Sequence, residues 1–345
     1  MKQISFCITC MNRLKHLQET LEKNILDNFL VDEVEFVVLD YNSQDGLEEW
    51  IAQSMMKYIE MGILVYYRTT EPAYYRRSHS RNMVFRLAEG EVVCNLDADN
   101  YLGRGFAEFM LKEFNNKERL FYTSNLCYRD VFGRVCLERK EFVEARGYNE
   151  VFVGYGLEDV EFFNRLLCRG LVQEIFNQKE FYNVLMHADE ERIAQEFLLQ
   201  SVYLDYINPY STRVLMLYKG QRFGIGVIQN NIAMNYNHPD ESDMLKRCIG
   251  DKYRLVIKGE WKEGIWDEME NGIRLNFKDE EMILRNKSNC LYDFNHQYYK
   301  VKDANLIVVI VMGVTEAINY LKMKKMDNDC KTVNPNGFGQ GIVYR

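Results

Sequence analysis

A chain of 345 residues with 47% hydrophobic content can bury a substantial core, in one large domain or two. Its net charge of −8 argues against nucleic acid as a partner, yet allows an anionic nucleotide neutralised by a metal and local arginines. Nine cysteines without framework spacing, no room for a signal peptide before the first strand, and an apolar run (Leu306 to Val314) too short to span a bilayer predict a cytoplasmic protein with reduced thiols.

The first strand is Ile4 to Cys10, and its Cys7-x-x-Cys10 reads as packing cysteines rather than a redox pair, since it does not open a helix. Met11-Asn12-Arg13 is a loop, and Leu14, Leu17, Leu21 and Ile25 mark one face of a helix from Leu14 to Leu26. A second strand, Val34 to Leu39, closes on Asp40-Tyr41-Asn42-Ser43 and is followed by a helix from about Leu47 to Tyr58. Ile63 to Tyr67 is a third strand, and Ser78 to Leu87 a helix stopped by Gly90. The fourth strand runs through Val92-Val93-Cys94-Asn95-Leu96 into Asp97-Ala98-Asp99. Strand–helix–strand units of this length predict an α/β fold, a mainly parallel sheet with helices on both faces. Its right-handed crossovers line up the loops after successive strands along one edge.

That edge gathers Arg13, Asp40, Asp97 and Asp99. Two carboxylates one residue apart at a strand end supply hard oxygen ligands for Mg²⁺ or Mn²⁺. An isolated D-x-D is more readily a solvated acidic turn, and its neighbours decide between the two. Arg77 and Arg81, four apart on one helix face, could meet a diphosphate. Further on, Phe106 to Phe114 is helical, Leu120 to Tyr128 a strand, and Val135 to Leu137 continues the sheet. Gly154-Tyr155-Gly156-Leu157 precedes a helix that opens on Glu158, Asp159 and Glu161, acidic residues that the helix dipole favours in any case. Tyr182 to His187 reads as a strand ending in a histidine.

In this order, Ser5-Phe6-Cys7-Ile8-Thr9-Cys10-Met11-Asn12-Arg13, Val37-Val38-Leu39-Asp40-Tyr41-Asn42-Ser43, Arg81-Asn82 and Leu96-Asp97-Ala98-Asp99 resemble family 2 glycosyltransferases of the GT-A fold. Gly154-Tyr155-Gly156-Leu157-Glu158-Asp159 is similar to the motif of the galactosyltransferase and chondroitin-polymerase-like branch. The resemblance covers residues 3 to 195. It implies inverting, metal-dependent transfer of a sugar from a nucleotide-diphosphate donor, with UDP preferred, to a hydroxyl of a glycan or lipid-linked glycan acceptor. Asp40 would then contact the nucleoside, with Arg13 near the base or diphosphate and Arg81 near the ribose or phosphates. Thr9, Asn12 and Asn82 would share the donor site. Asp97 would lie close to ribose and metal, and Asp99 and His187 would be metal ligands for Mn²⁺ or Mg²⁺. Tyr155 and Gly156 would face the acceptor, Glu158 would hold it, and Asp159 would be the catalytic base. The chain departs from the commoner motif at Leu157, where many relatives have glycine, and at Tyr155 in place of tryptophan. A competing reading is a binding protein that keeps the nucleotide-sugar site without turnover. A sugar nucleotidyltransferase would want a glycine-rich loop after the first strand, and none is present.

The expected domains are a GT-A domain over 1–205, a helical or loop connector over 206–250, and a small β-rich region over 251–345. In the last two, helices are expected at Phe197 to Asp205, Glu241 to Cys248 and Ala317 to Met326. Strands are expected at Arg254 to Gly259, Ile273 to Phe277, Met282 to Arg285 and Leu306 to Val311. Trp261, Trp266 and Tyr292 read as core packing before sugar platform. Lys322, Lys324 and Lys325 read as a solvated face, with peripheral contact at an anionic membrane as the weaker alternative. Asn334 to Gly341 is a glycine-rich loop without the lysine of a phosphate-binding loop. Nothing in the sequence sets an oligomeric state.

Overall fold

The computed structural model describes residues 3–29, 33–125, 127–196, 199–208, 210–230, 255–288, 290–326 and 333–345. They divide into two compact units. One comprises Met1–Val153, Leu157–His187 and Lys325–Arg345, and the other comprises Gly154–Gly156 and Ala188–Lys324.

The first unit is built on a seven-stranded sheet: β1 (Ile4–Cys10), β2 (Val34–Tyr41), β3 (Leu64–Thr69), β4 (Val92–Asn95), β5 (Leu120–Thr123), β6 (Val135–Glu138) and β7 (Val172–Ile175), in spatial order β3-β2-β1-β4-β6-β5-β7. Pairing is parallel except around β6, which runs antiparallel to both β4 and β5. Every residue of β1 and β2 is buried. Alternate residues serve opposite faces: Phe6, Ile8, Phe36 and Val38 join one core, while Cys7, Val37 and Leu39 join the other. Burial pushes the Cys7 and Cys10 thiols up, as befits packing residues. The flanking helices include α1 (Leu14–Asp27), α2 (Arg77–Leu87), α3 (Phe106–Asn116) and α4 (Glu158–Cys168). The mixed, mainly parallel sheet is as the sequence predicts. Three details differ. Leu120–Thr123 ends well short of Tyr128, β7 carries no strong apolar signal, and Tyr182 to His187 is no strand. That last stretch makes a 3₁₀ turn, Lys179–Tyr182, and a single bridge from Val184 to Asn100.

The second unit is a closed barrel of eight strands: β8 (Leu199–Asn208), β9 (Ser211–Tyr218), β10 (Arg222–Asn230), β11 (Leu255–Met269), β12 (Gly272–Asn276), β13 (Glu281–Lys287), β14 (Cys290–Tyr292) and β15 (Gln297–Lys300). Side chains alternate here too. Leu215, Leu217, Phe223, Leu275, Leu284 and Tyr298 fill the interior, while Val202, Leu204, Val214 and Met216 pack under helix α5 (Ala304–Lys325). Several expectations are corrected. The helix expected at Phe197 to Asp205 is strand β8, and the expected 206–250 connector contributes β9 and β10 to the barrel. The expected helix at Glu241 to Cys248 lies outside the described residues.

Leu306 to Val311 and Ala317 to Met326, expected as a strand and a separate helix, form the one helix α5. Its β-branched run reads locally as a strand, but Leu306, Val308, Ile310, Val311 and Val314 are buried along a helical face against the barrel, and packing outweighs propensity. By length and composition alone α5 is long and apolar enough to cross a membrane, which the run Leu306 to Val314 within it is not, and 44% of its apolar window is buried inside the protein. Lys322, expected on a solvated face, is half-buried, and desolvation lowers its pKa. Trp266 is buried in the barrel, with Nε1 donating to the Tyr218 carbonyl at 3.1 Å, and Trp261 packs under the helix; both are packing residues.

Candidate active site

The loops after β1 and β2 are tied to each other. Asn12 N–H donates to Ser43 Oγ at 3.0 Å, and Asn12 Oδ1 accepts from Gln44 N–H at 2.6 Å. Asp40, fully buried, accepts from Ser43 N–H at 2.7 Å through Oδ1 and from Tyr66 Oη at 2.8 Å through Oδ2. Arg68 Nε stands 3.5 Å from the same Oδ2. Thr9 Oγ1 shares a hydrogen bond of 2.5 Å with Tyr75 Oη. Thr9, Asn12, Arg13 and Asp40 therefore sit together at the sheet edge as expected, with Asp40 holding the β2 loop rather than offering a bare carboxylate.

Arg81 lies on the buried face of α2, only 2% exposed. Its guanidinium is enclosed by carboxylates: Nη1 donates to Asp159 Oδ1 at 2.8 Å and lies 3.5 Å from Glu158 Oε1, and Nη2 lies 3.4 Å from Asp97 Oδ1. The expectation that Arg77 and Arg81 present a common face to a diphosphate gives way to this geometry. Glu158 and Asp159 open α4, where the helix dipole favours negative charge. Burial raises the Asp159 pKa to about 6, against the lowering pull of Arg81 and with added repulsion from Glu158 and Asp97. Three carboxylates around one guanidinium leave an excess of negative charge in a desolvated place.

Two residues beyond Asp97, Asp99 receives a hydrogen bond from Asn100 Nδ2 at 2.9 Å and contacts His187 Nε2 through Oδ2 at 2.5 Å. His187 is held there by backbone as well: Leu185 N–H donates to the Asp99 carbonyl at 2.7 Å, and Tyr101 N–H to that of Asn183 at 3.0 Å. The His16 and His187 rings meet edge to face, 5.2 Å between centroids. The two predicted ligands are thus brought together. An oxygen-rich set with one imidazole suits Mn²⁺ or Mg²⁺.

Asn82, expected among donor-binding residues, faces elsewhere. It is buried, donates through Nδ2 to the Tyr148 carbonyl at 2.8 Å and to Glu150 Oε1 at 2.9 Å, and accepts from Tyr148 N–H at 2.7 Å. Tyr155 and Gly156 belong to the second unit, where their carbonyls accept from Thr315 Oγ1 at 3.3 Å and Asn319 Nδ2 at 2.9 Å of α5.

Sequence reading missed three supports. Gly133, in the turn before β6, lies where a Cβ would come within 2.7 Å of Arg81 Nη2 and 3.3 Å of Asp97 Oδ2. Asn95 donates to Asp97 Oδ1 and to the Gly133 carbonyl, both at 3.0 Å. Arg134, 1% exposed, donates to the carbonyls of Phe181 and Tyr101 and to Asn100 Oδ1, joining the Asp99 loop to the segment that bears His187. A buried arginine leaves no local pattern, although the Asn95 side chain two residues before Asp97 was in view.

Comparison with known proteins gives three findings. Residues 5–176 match the model of the family described as "Glycosyl transferase family 2". A search of curated proteins returns no significant match. Similar solved structures include a mannosyltransferase from Pyrobaculum calidifontis in complex with GDP-Man and Mn²⁺ (18% identity, TM-score 0.43, 52% of this chain and 58% of that one). They also include S. aureus TarS 1-349 in complex with UDP (16% identity, TM-score 0.45, 55% and 62%). A third is glucosyl-3-phosphoglycerate synthase from Mycobacterium tuberculosis with Mn²⁺, UDP and phosphoglyceric acid (15% identity, TM-score 0.36, 50% and 68%). The chain spans about three-fifths of the length of the first two.

Proposed function

We infer the activity of this chain from the family to which it belongs, glycosyl transferase family 2. The reaction is transfer of a sugar, with inversion, from a nucleotide-diphosphate donor, preferably a UDP-sugar, to a hydroxyl of a glycan or glycoconjugate acceptor. The observation that carries the reading is the buried contact of Arg81 with Asp97, Glu158 and Asp159, which joins the D-x-D strand end to the acidic start of α4.

Asp159 is the base. An acceptor hydroxyl is a poor nucleophile, and a carboxylate with a pKa of about 6 is ionised at neutral pH yet basic enough to take its proton during attack. Arg81 holds that carboxylate in orientation, and Glu158 beside it can accept a hydrogen bond from the acceptor. Asp99, His187 and Asp97 would hold Mn²⁺ or Mg²⁺. When bound, the cation stabilises the charge that gathers on the departing diphosphate. Arg13, Thr9, Asn12 and Asp40 line the donor side at the ends of β1 and β2. One base on the acceptor side suits a single in-line displacement, which requires no nucleophilic carboxylate.

The test is a panel of UDP-, GDP- and dTDP-sugars offered to purified protein with pooled glycan acceptors, in Mn²⁺ or EDTA, beside Asp159→Asn. Metal-dependent release of one nucleoside diphosphate, greatly reduced in the variant, is expected. Tight donor binding with no turnover by any acceptor would replace this reading with that of a binding protein.

A further inference from the structure

One end of the barrel of the second unit is marked by three hairpin turns. There β8 turns into β9, β12 into β13 and β14 into β15, and the β10–β11 ladder slips register between Ile225 and Val227. A bulge of this kind splays a strand from its neighbour, and a cavity of ≈ 250 Å³ opens beside it. Ile225, Val227 and Met282 give it apolar surface.

Its polar walls are organised. Arg213 Nη1 donates to Asp205 Oδ2 at 2.5 Å and to His296 Nδ1 at 2.8 Å. His296 Nδ1 also lies 3.2 Å from Asp205 Oδ2, and its Nε2 has no hydrogen-bond partner among the described residues. Across the cavity Lys262 pairs with Glu280 and stands 5.4 Å over the Phe277 ring, and Lys258 forms no ion pair among the described residues. The lining carries Arg213, Lys258 and Lys262 against Glu260, Glu280 and Glu281, so its formal charges cancel.

Two residues before His296, Phe294 is fully exposed at the tip of the β14–β15 hairpin. The tip is set by Asp293 Oδ1, which accepts from the N–H groups of Asn295 and His296, both at 2.7 Å. An aromatic ring held in water on the hairpin whose His296 lines a cavity with donors, acceptors and apolar surface fits a binding site. A purely apolar ligand would strand the charged groups without partners. An anion would meet as many carboxylates as cations. A sugar ring, with hydroxyls that both donate and accept and with apolar C–H faces, satisfies both kinds of wall.

We propose that this barrel mouth binds a neutral saccharide, one or two rings deep, with Lys258, His296 and Glu260 on its hydroxyls and Phe294 against a ring face. As a holder of the acceptor or product glycan, the site rests on the transferase reading. As a binding site it stands on its own residues.

The experiment is calorimetry on the full chain in EDTA, without nucleotide, against short neutral and uronate-containing oligosaccharides. Lys258→Ala/Phe294→Ala and Asp159→Asn are measured alongside, and thermal melting confirms folding; both barrel positions are exposed, so the fold should survive. Saturable binding of a neutral oligosaccharide is expected, weakened at least about tenfold in the barrel variant and unchanged in Asp159→Asn. No binding of any neutral sugar, binding of uronate-containing ones alone, or binding lost only in Asp159→Asn would overturn the proposal. Barrel-dependent binding in a protein that transfers no sugar would sink the transferase reading and leave this site standing.

Discussion

Arg81 Nη1 reaches Asp159 Oδ1 at 2.8 Å across a sequence separation of 78 residues, with both side chains nearly closed off from solvent. The pair joins α2 to α4 and places a cation beside the proposed base. A buried cation of this kind is hard to remove, because its carboxylate partners are left charged and unpaired. Arg81→Met should cost about 3–5 kcal/mol in urea unfolding. Adding Mn²⁺ should recover part of the loss if a divalent cation can sit among the same carboxylates.

The rate of transfer should follow the ionisation of Asp159. Its pKa of about 6 predicts a rate that rises through pH 6 and levels above pH 7, a limb absent from any residual activity of Asp159→Asn. The linked stability has the opposite sense. A carboxyl raised in the folded state favours the fold while protonated, so its contribution is present below the ordinary value of 3.8 and is lost as pH rises through 6. A pH-independent rate between 5 and 8 would remove Asp159 from the role of base.

Metal addition should be visible without catalysis. A cation held by Asp99, His187 and Asp97 in the folded state alone raises stability by about 2.7 kcal/mol at a hundredfold excess over its Kd. The melting temperature should therefore rise with Mn²⁺, and the rise should vanish in Asp99→Asn and His187→Ala. An unchanged shift in both variants would move the metal elsewhere.

Leu157 precedes α4 with φ 73°, a left-handed conformation that a leucine adopts at a cost of roughly 1–2 kcal/mol. Leu157→Gly should be neutral or stabilising by up to ~1 kcal/mol, whereas Leu157→Val should destabilise. Chemical denaturation of the two variants side by side decides it, and equal losses in both would mean that side-chain packing governs the position.

Gly133→Ala should perturb the centre with little effect on the donor loops. The added Cβ would meet Arg81 Nη2 at 2.7 Å, closer than such contacts allow. A shifted guanidinium should change the pH limb of the rate as well as lower kcat, and an unaltered profile would show that the cluster yields without consequence.

What the sequence made legible is what a strand end states locally. Asp97 and Asp99 follow an apolar run, so their place on the sheet edge could be argued from topology, whereas Glu158 and Asp159 read locally as helix initiation and joined that edge only through the family resemblance. Residues whose partners lie far along the chain were misread. Asn82 neighbours Arg81 in sequence, yet it serves the Tyr148 backbone while Arg81 serves the carboxylates, because adjacent helical positions face different ways. Helix α5 was divided in two because its β-branched run is neutral between helix and strand until a partner surface is specified. The glycine-rich Asn334 to Gly341 lacks the lysine of a phosphate-binding loop, and nothing near it in sequence says what it does touch.

That segment lies on the first unit. Arg146 Nε donates to the Val333 carbonyl at 2.8 Å, and Asn334 Nδ2 to the Arg146 and Tyr148 carbonyls at 2.8 Å. Gly339 N–H donates to Glu150 Oε1 at 2.6 Å, and Tyr344 bridges to Arg68 on the edge strand β3. The barrel unit is accordingly a guest inserted into a host whose last pieces are translated after it. During synthesis the sheet, the D-x-D loop and α4 can emerge and collapse while Asn82 and Glu150 still lack part of their surroundings, which arrive only once residues 333–345 have left the ribosome. A ribosome stalled before that point would carry an unfinished host, so a fragment cut at residue 205 to isolate the catalytic domain should be less stable than the host within the whole chain.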